Sequence, residues 1–358
     1  MMGPAASRGR AGRLTAIGVA LGIIVTLSGC ATPKPQAPIG GAMRAATART
    51  APVARSPHTR TAKAQGNIQM SGAAGDGVAN GDFGRWRGTP VTIGGAWDDM
   101  PDDQTVLSSI MPDGPWGSWQ ADLDIAIGAI YKTLGESWAA AASGAYDDRW
   151  RSILTRMAVL WGGRSGRLHI RFAHEFNGRW VPWSVRGSEV RDFKATWRRV
   201  RAIQKEILPN AYLVFAPNDG TSKELRLDWR KAFPGKKYVD ETSVSSFNAW
   251  PYVSTRAGFR KKIMGKGPDS RGIERHRLFA KSVGLPMAIS EWGTSATLGD
   301  GAVYVREFAK WLRKHAGTGP GQVPYEIVFN LGDYQGGKYQ MFPTTRMPKA
   351  TEAYRKAF

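Results

Sequence analysis

The sequence has almost no cysteine: Cys30 is the only one among 358 residues. Disulfide bonds and metal sites built from cysteine are therefore excluded. Histidine is also scarce, and no two of the five histidines have the His-x-x-x-His spacing of a helical zinc site. No serine lies in a Gly-x-Ser-x-Gly frame, the usual setting of a serine hydrolase nucleophile. We predict a protein without a metal site.

Acidic residues are few beside basic ones, with 29 Asp and Glu against 50 Lys and Arg and a net charge of +21. A basic surplus raises the question of nucleic-acid binding. The basic residues, however, are dispersed in short groups such as residues 198–201 and 260–262. Together with the export signal described next, this dispersion argues against a nucleic-acid partner.

The N-terminal apolar run, residues 14–27, is too short for a comfortable membrane span and follows three arginines, as in a signal peptide. It leads into Leu-Ser-Gly-Cys at residues 27–30, which resembles the lipobox of bacterial lipoproteins. We therefore predict a lipoprotein signal peptide over residues 1–29, lipidation of Cys30, and an exported protein anchored to a membrane of the cell envelope. The alternative is an ordinary signal peptide or anchor with an incidental cysteine, and a secreted protein if the lipobox is not used.

Residues 30–80 are rich in Ala, Pro, Gly, Thr and Ser and show no sustained apolar period. This composition predicts a flexible tether. The folded domain is then expected over residues 81–358, and we expect it to be a monomer.

Within that domain, nearly continuous apolar runs alternate with helical stripes of apolar residues, such as those within residues 150–161 and 190–207. This alternation predicts a single α/β domain, and its length fits a (β/α)₈ TIM barrel. A doubly wound sheet is the alternative, but it would need a glycine-rich phosphate loop where residues 94–103 read GGAWDDMPDD. The predicted strands are residues 89–95, 167–173, 211–216, 243–247, 286–290 and 325–331.

Two glutamates, Glu175 and Glu291, follow apolar strand-like runs. Strand ends meet at one rim of a barrel, where two carboxyl groups can cleave a glycosidic bond, one as acid and the other as nucleophile. Each glutamate could instead be a solvated loop residue or the partner of a buried arginine. Arg171 lies on the same period-two face as Glu175, and both roles can coexist.

Aromatic and hydrogen-bonding residues surround both glutamates in the sequence. Sugars present apolar C–H faces to aromatic rings and hydroxyl groups to polar side chains, so this mixture suits a carbohydrate-binding groove. His174 binds either substrate or a carboxylate in this interpretation, although a packed histidine is the alternative. The candidate binding residues are Arg171, His174, Asn177, Trp180, Trp183, Asn248, Trp250 and Trp292.

Residues 173–183, AHEFNGRWVPW, resemble the H-E-M-N-G-x-W-x-x-W motif of glycoside hydrolase family 26, whose best-known members are endo-β-mannanases. The resemblance extends over most of the chain from about residue 81. Five further segments resemble family motifs in order: residues 144–148 (GAYDD), 193–199 (FKATWRR), 215–218 (FAPN), 238–240 (YVD) and 289–293 (ISEWG).

The resemblance implies a (β/α)₈ barrel with Glu175 as general acid/base, Glu291 as nucleophile, and His174 binding the sugar next to the cleaved bond. It implies retaining hydrolysis of a polysaccharide without a cofactor, with β-mannan as the expected substrate. A β-1,3-xylan or a mixed β-glucan is an alternative within the fold. Another is a surface glycan-binding lipoprotein with impaired catalysis.

Two positions depart from the family pattern. Phe247 stands where the family has a tyrosine that holds the nucleophile, and a phenyl ring cannot donate that hydrogen bond. Phe215 replaces a common tryptophan. Either another tyrosine such as Tyr252 takes the role at Glu291, or that carboxyl group is held differently.

Overall fold

The computed structural model describes residues 70–101, 106–265 and 271–358, and within them eight parallel strands close into a barrel in sequential order. The predicted (β/α)₈ barrel is confirmed. The strands are β1 (Met70–Gly75), β2 (Ile93–Asp98), β3 (Asp122–Ile127), β4 (Leu168–Phe172), β5 (Tyr212–Phe215), β6 (Glu241–Asn248), β7 (Met287–Thr294) and β8 (Tyr325–Asn330).

α-Helices connect most of the strands and pack on the outside of the barrel. On α4, the buried Phe193, Trp197 and Val200 recur at helical spacing, which is why this segment forms a helix against the sheet. The helices are α1 (Asp82–Arg87), α2 (Trp138–Ser143), α3 (Asp147–Trp161), α4 (Val190–Ile207), α5 (Arg256–Met264), α6 (Ile273–Val283), α7 (Ala302–His315) and α8 (Pro348–Ala357).

The barrel begins earlier than the sequence predicted. β1 lies within the segment assigned to the tether, so the predicted boundary at residue 81 is wrong. Its sequence, MSGAAG, has only small residues after Met70, because neighbouring strands approach it closely. A Cβ atom on Gly72 would lie 2.6 Å from the carbonyl oxygen of Ile93 and 2.8 Å from that of Glu326. Small residues therefore fit here, and they carry no hydrophobic signal.

β3 was also missed, because its sequence, DLDIAI, includes two aspartates. Each has a partner on β4, inside the barrel. Asp122 contacts His169, with 3.2 Å between its Oδ2 and the ring Nε2, and Asp124 accepts a hydrogen bond from Arg171. Buried carboxylates with such partners are compatible with a central strand, although they interrupt its apolar pattern.

The predicted signal peptide, Cys30 and the tether up to residue 69 lie outside the described residues. Within the three described ranges, no helix has the length and apolar character needed to cross a membrane.

Candidate active site

A cavity of about 930 Å³ opens at the C-terminal ends of the strands. Both glutamates singled out in the sequence line it, one after β4 and the other on β7. The volume is within the range of ligand-binding pockets in proteins. Five predicted site residues lie on its walls: His174, Glu175, Trp180, Trp250 and Glu291.

Glu175 reaches the cavity through an unusual backbone turn. Ala173 and Glu175 have φ angles of 53° and 52°, a left-handed conformation that non-glycine residues rarely adopt. The turn is held by a hydrogen bond of 2.7 Å from the Glu175 amide to the carbonyl of Ala216. Local strain of this kind costs about 1–3 kcal/mol and is common at functional sites.

The Glu175 carboxyl group is buried and accepts two side-chain hydrogen bonds. Asn218 Nδ2 donates to Oε1 at 2.7 Å, and Trp180 Nε1 donates to Oε2 at 2.6 Å. Burial, reinforced by the charge of Glu291, raises the pKa of Glu175 to about 7. A carboxyl group with this pKa can hold a proton near neutral pH and release it during a reaction.

Glu291 is placed by a bulge in β7. Ser243 and Ser245 on β6 pair with Ala288 and Glu291, so β7 contains one more residue than β6 over this stretch. As a result, both Ser290 and Glu291 make contacts inside the barrel. Ser290 Oγ donates to Asp124 at 2.6 Å, while Glu291 accepts from Arg171. Bulges next to active sites commonly re-aim side chains in this way.

Two donors hold the Glu291 carboxyl group. Arg171, fully buried, bridges Asp124 and Glu291, and Trp97 Nε1 donates to Glu291 Oε1 at 2.9 Å. Phe247 instead packs its ring 4.6 Å, centroid to centroid, from the ring of Tyr339. The indole of Trp97 therefore supplies a hydrogen bond that Phe247 cannot make.

The expected substitute, Tyr252, is not at this position. It is not among the residues that line the cavity, and its hydroxyl lies 2.8 Å from where a Cβ atom of Gly299 would be. The alternative proposed from the sequence, that Glu291 is held differently, is the one that the structure supports.

Residues 167–267 match the family model of Glycosyl hydrolase family 26. The resemblance seen in the sequence is thus confirmed over a segment that contains Glu175 and ends before Glu291. This match supports a glycoside hydrolase. Among the curated proteins, none matches significantly.

Solved structures of glycoside hydrolases share the fold. GH26C from Muricauda sp. MAR_2010_75 has a TM-score of 0.53 at 13% identity, covering 81% of this chain and 86% of its own. The GH26 β-mannanase BoMan26A from Bacteroides ovatus has a TM-score of 0.50 at 14% identity, covering 82% and 88%. ZgEngAGH5_4 has a TM-score of 0.52 at 12% identity, covering 80% and 96%. At these identities the likeness concerns the fold alone.

Five residues predicted to bind substrate are buried outside the cavity lining: Arg171, Asn177, Trp183, Asn248 and Trp292. Arg171 lies beneath the carboxyl pair, as described above. Trp292 follows Glu291, and because successive strand residues point to opposite faces, its ring packs outside the barrel, 4.4 Å from that of Phe308. Its position beside Glu291 in the sequence was misleading.

The other three residues support the site through hydrogen bonds to loops. Asn177 donates to the carbonyl of Asn218 at 2.9 Å and accepts from its amide at 2.8 Å. Trp183 donates to the carbonyl of His174 at 2.6 Å. Asn248 donates to the carbonyl of Val253 at 3.1 Å and accepts from its amide at 2.8 Å. These side chains hold the segments at the rim of the barrel in place, but they do not line the cavity.

Sequence reasoning missed several residues of the cavity. Trp97 and Asp99 come from the end of β2, where the sequence shows no motif that marks them as site residues. Asn218, which donates to Glu175, ends the FAPN segment after β5 and could have been found by asking which strand ends carry amides. Tyr334 and Tyr339 come from the loop after β8, where no periodic pattern marks them.

Among the residues that the structure describes, no group of three or more His, Cys, Asp or Glu side chains could hold a metal ion.

Proposed function

We propose that the protein is a retaining endo-β-glycosidase that hydrolyses a β-mannan-type polysaccharide through a covalent glycosyl-enzyme intermediate. The observation that carries this proposal is the pairing of Glu175 and Glu291 in one cavity, each held by different donors. The charge of Glu291 contributes to the raised pKa of Glu175, so the two carboxyl groups interact electrostatically. Retaining glycosidases need two carboxyl groups separated by about 5 Å.

In the first step, a carboxylate oxygen of Glu291 attacks the anomeric carbon while the bond to the leaving oxygen breaks. Glu175 donates its proton to that oxygen. In the second step, Glu175, now ionised, takes a proton from water, whose oxygen attacks the anomeric carbon and releases Glu291. The hydrogen bonds from Trp97 and Arg171 keep the attacking carboxylate in place.

A polymeric substrate is supported by the exposed rings at the cavity. Trp180 is 57% exposed and Trp250 is 79% exposed, although both line the cavity. Exposed indole faces can stack against sugars on either side of the cleaved bond. Mannan is proposed because the matched family centres on β-mannanases; β-1,3-xylan and mixed β-glucan are the alternatives within the same mechanism.

The proposal is tested by incubating the full chain with β-mannan, β-1,3-xylan and mixed β-glucan and measuring released reducing ends. Glu175→Gln and Glu291→Gln serve as matched variants that preserve side-chain size. We expect release from β-mannan by the unmodified protein and almost none by either variant. Binding without any release would instead indicate a glycan-binding protein, and release from xylan or glucan alone would correct the substrate.

We also propose that the protein is exported and anchored to a membrane through lipidated Cys30. The lipobox-like segment before this cysteine supports the proposal. Expression of the full chain and of Cys30→Ala, followed by membrane fractionation, tests it. The variant should lose acylation and leave the membrane fraction, and unchanged fractionation would refute the anchor.

A further inference from the structure

The end of β2 brings a further carboxyl group into the cavity. Asp99 follows the last residue of the strand and lines the cavity with both glutamates. Trp97, two residues earlier, donates to Glu291, and alternate residues of an extended segment share a face. Tyr131 anchors the main chain here, because its hydroxyl donates to the Asp99 carbonyl at 2.8 Å. The adjacent Asp98 is already engaged, accepting from the Ser109 amide at 3.1 Å.

An ionisable partner of Asp99 on the cavity wall is His174. Their closest atoms, Asp99 Oδ2 and His174 Nε2, are 3.6 Å apart, which is too long for a direct hydrogen bond. Trp183 fixes the imidazole, with 5.3 Å between the ring centroids. Nδ1 of His174 is buried and has no hydrogen-bond partner among the described residues. The Asp99 side is thus the direction in which this ring can donate.

His174 is neutral in this setting. Burial, and then the charge of Arg171, lower the pKa of His174 well below its usual range. A neutral imidazole carries one N–H group, and Nε2–H is the tautomer that faces the carboxyl group of Asp99. The cavity wall therefore presents one donor and one acceptor side by side, without a salt bridge between them.

A sugar hydroxyl group matches this pair, because it donates one hydrogen bond and accepts others. Two atoms 3.6 Å apart can both lie at about 2.8 Å from a single oxygen. We propose that Asp99 and His174 together hold one hydroxyl group of the sugar bound beside Glu291, so that Asp99 is a specificity-determining residue. This inference rests on the proposed glycosidase function.

The test combines variants of Asp99 with substrates that each lack one hydroxyl group on the sugar beside Glu291. The full-length protein is first assayed on the parent oligosaccharide of the glycan it cleaves. If no glycan is cleaved, the proposed glycosidase function fails, and the role of Asp99 fails with it. If one is cleaved, kcat/KM is compared for the unmodified protein, Asp99→Ala and Asp99→Asn on the parent and deoxy substrates.

We expect one deoxy substrate to lower kcat/KM of the unmodified protein roughly 10- to 100-fold, the usual effect of losing a hydrogen bond to a charged group. Asp99→Ala should lower kcat/KM on the parent by a similar factor. For this variant, kcat/KM on that deoxy substrate should be no lower than on the parent. Asp99→Asn, which keeps an acceptor oxygen, should recover part of the loss.

Two results would overturn the role of Asp99 while leaving the glycosidase function intact. One is full activity of Asp99→Ala on the parent substrate. The other is an independent effect: Asp99→Ala lowers kcat/KM by the same factor on the parent and on every deoxy substrate. Such a uniform loss is expected of a residue that only supports the fold. If Asp99→Ala fails to fold, the test uses Asp99→Asn and the kcat/KM values of the unmodified protein on the deoxy substrates. If the unmodified protein cleaves every deoxy substrate as well as the parent, the contact is also refuted.

Discussion

Trp97 donates a hydrogen bond of 2.9 Å from its indole nitrogen to Oε1 of Glu291, across 194 residues of sequence. The same carboxyl group accepts from Arg171, whose guanidinium also binds Asp124. In glycoside hydrolase family 26, a tyrosine at the position of Phe247 usually donates the hydrogen bond to this carboxyl group. In this protein the donor comes from a different strand, so the carboxyl group keeps a hydrogen bond although the phenol is missing.

Trp97→Phe removes the indole N–H donor and keeps a six-membered aromatic ring at this position. Because hydrogen bonds to charged groups contribute about 1.5–3 kcal/mol, we expect kcat to fall at least about tenfold with little change in KM. Trp161→Phe is the matched control, since Trp161 Nε1 donates to the Gly166 carbonyl at 2.7 Å, outside the cavity. Steady-state kinetics of both variants decide the matter: equal kcat values for the two would show that Trp97 does not position Glu291.

Glu291→Ala is expected to destabilise the protein as well as abolish turnover. Arg171 is fully buried and its Nη2 has no partner among the described residues, so removing Glu291 leaves its charge with Asp124 alone. Breaking a buried ion pair costs about 3–5 kcal/mol. Glu291→Gln keeps an acceptor oxygen and should unfold at a temperature between those of Glu291→Ala and the unmodified protein. Thermal unfolding followed by circular dichroism checks this order, and equal midpoints for all three proteins would contradict it.

The dependence of activity on pH should follow the protonation of Glu175. Since burial and Glu291 raise the pKa of Glu175 to about 7, kcat/KM should decline above that pH as the acid loses its proton. Asn218 Nδ2 stabilises the ionised form, so Asn218→Ala should raise this pKa and move the decline to higher pH. A decline that stays at the same pH in the variant would show that another group controls it.

His169 should stabilise the barrel in a pH-dependent manner. Burial opposes its charge, but Glu241 and Asp122 outweigh burial and raise the pKa of His169 to about 10. Because the folded-state value exceeds the unfolded one of 6.5, the contribution is complete below pH 6.5 and is lost as pH rises through about 10.

His169→Gln should therefore lower the unfolding temperature by about 5–10 °C at pH 6. The difference from the unmodified protein should shrink toward pH 10, because the unmodified protein loses its imidazolium as the pH approaches this pKa. Thermal unfolding at several pH values measures the difference directly. A gap that is constant from pH 6 to 10 would mean that the imidazole is neutral in the folded protein.

The barrel was predictable because its strands are apolar and its helices periodic, as in the buried stripe of α4. The sequences of β1 and β3 are atypical of strands because of their local packing. In β1, Gly72 lies close to two carbonyl oxygens, which leaves no room for a side chain, and β3 carries the buried Asp124. The carboxyl pair was predictable from strand ends and motif. Contacts between distant segments, such as that of Trp97 with Glu291, leave no local pattern in the sequence, so they could be identified only from the structure.

The stereochemistry of the first product tests the central claim most directly. Proton NMR of a β-linked glycan, recorded as the full chain cleaves it, distinguishes the two anomers before they interconvert. A nucleophilic Glu291 predicts that the β-anomer appears first, because two displacements retain the configuration. Initial release of the α-anomer would contradict the glycosyl-enzyme intermediate and the role assigned to Glu291.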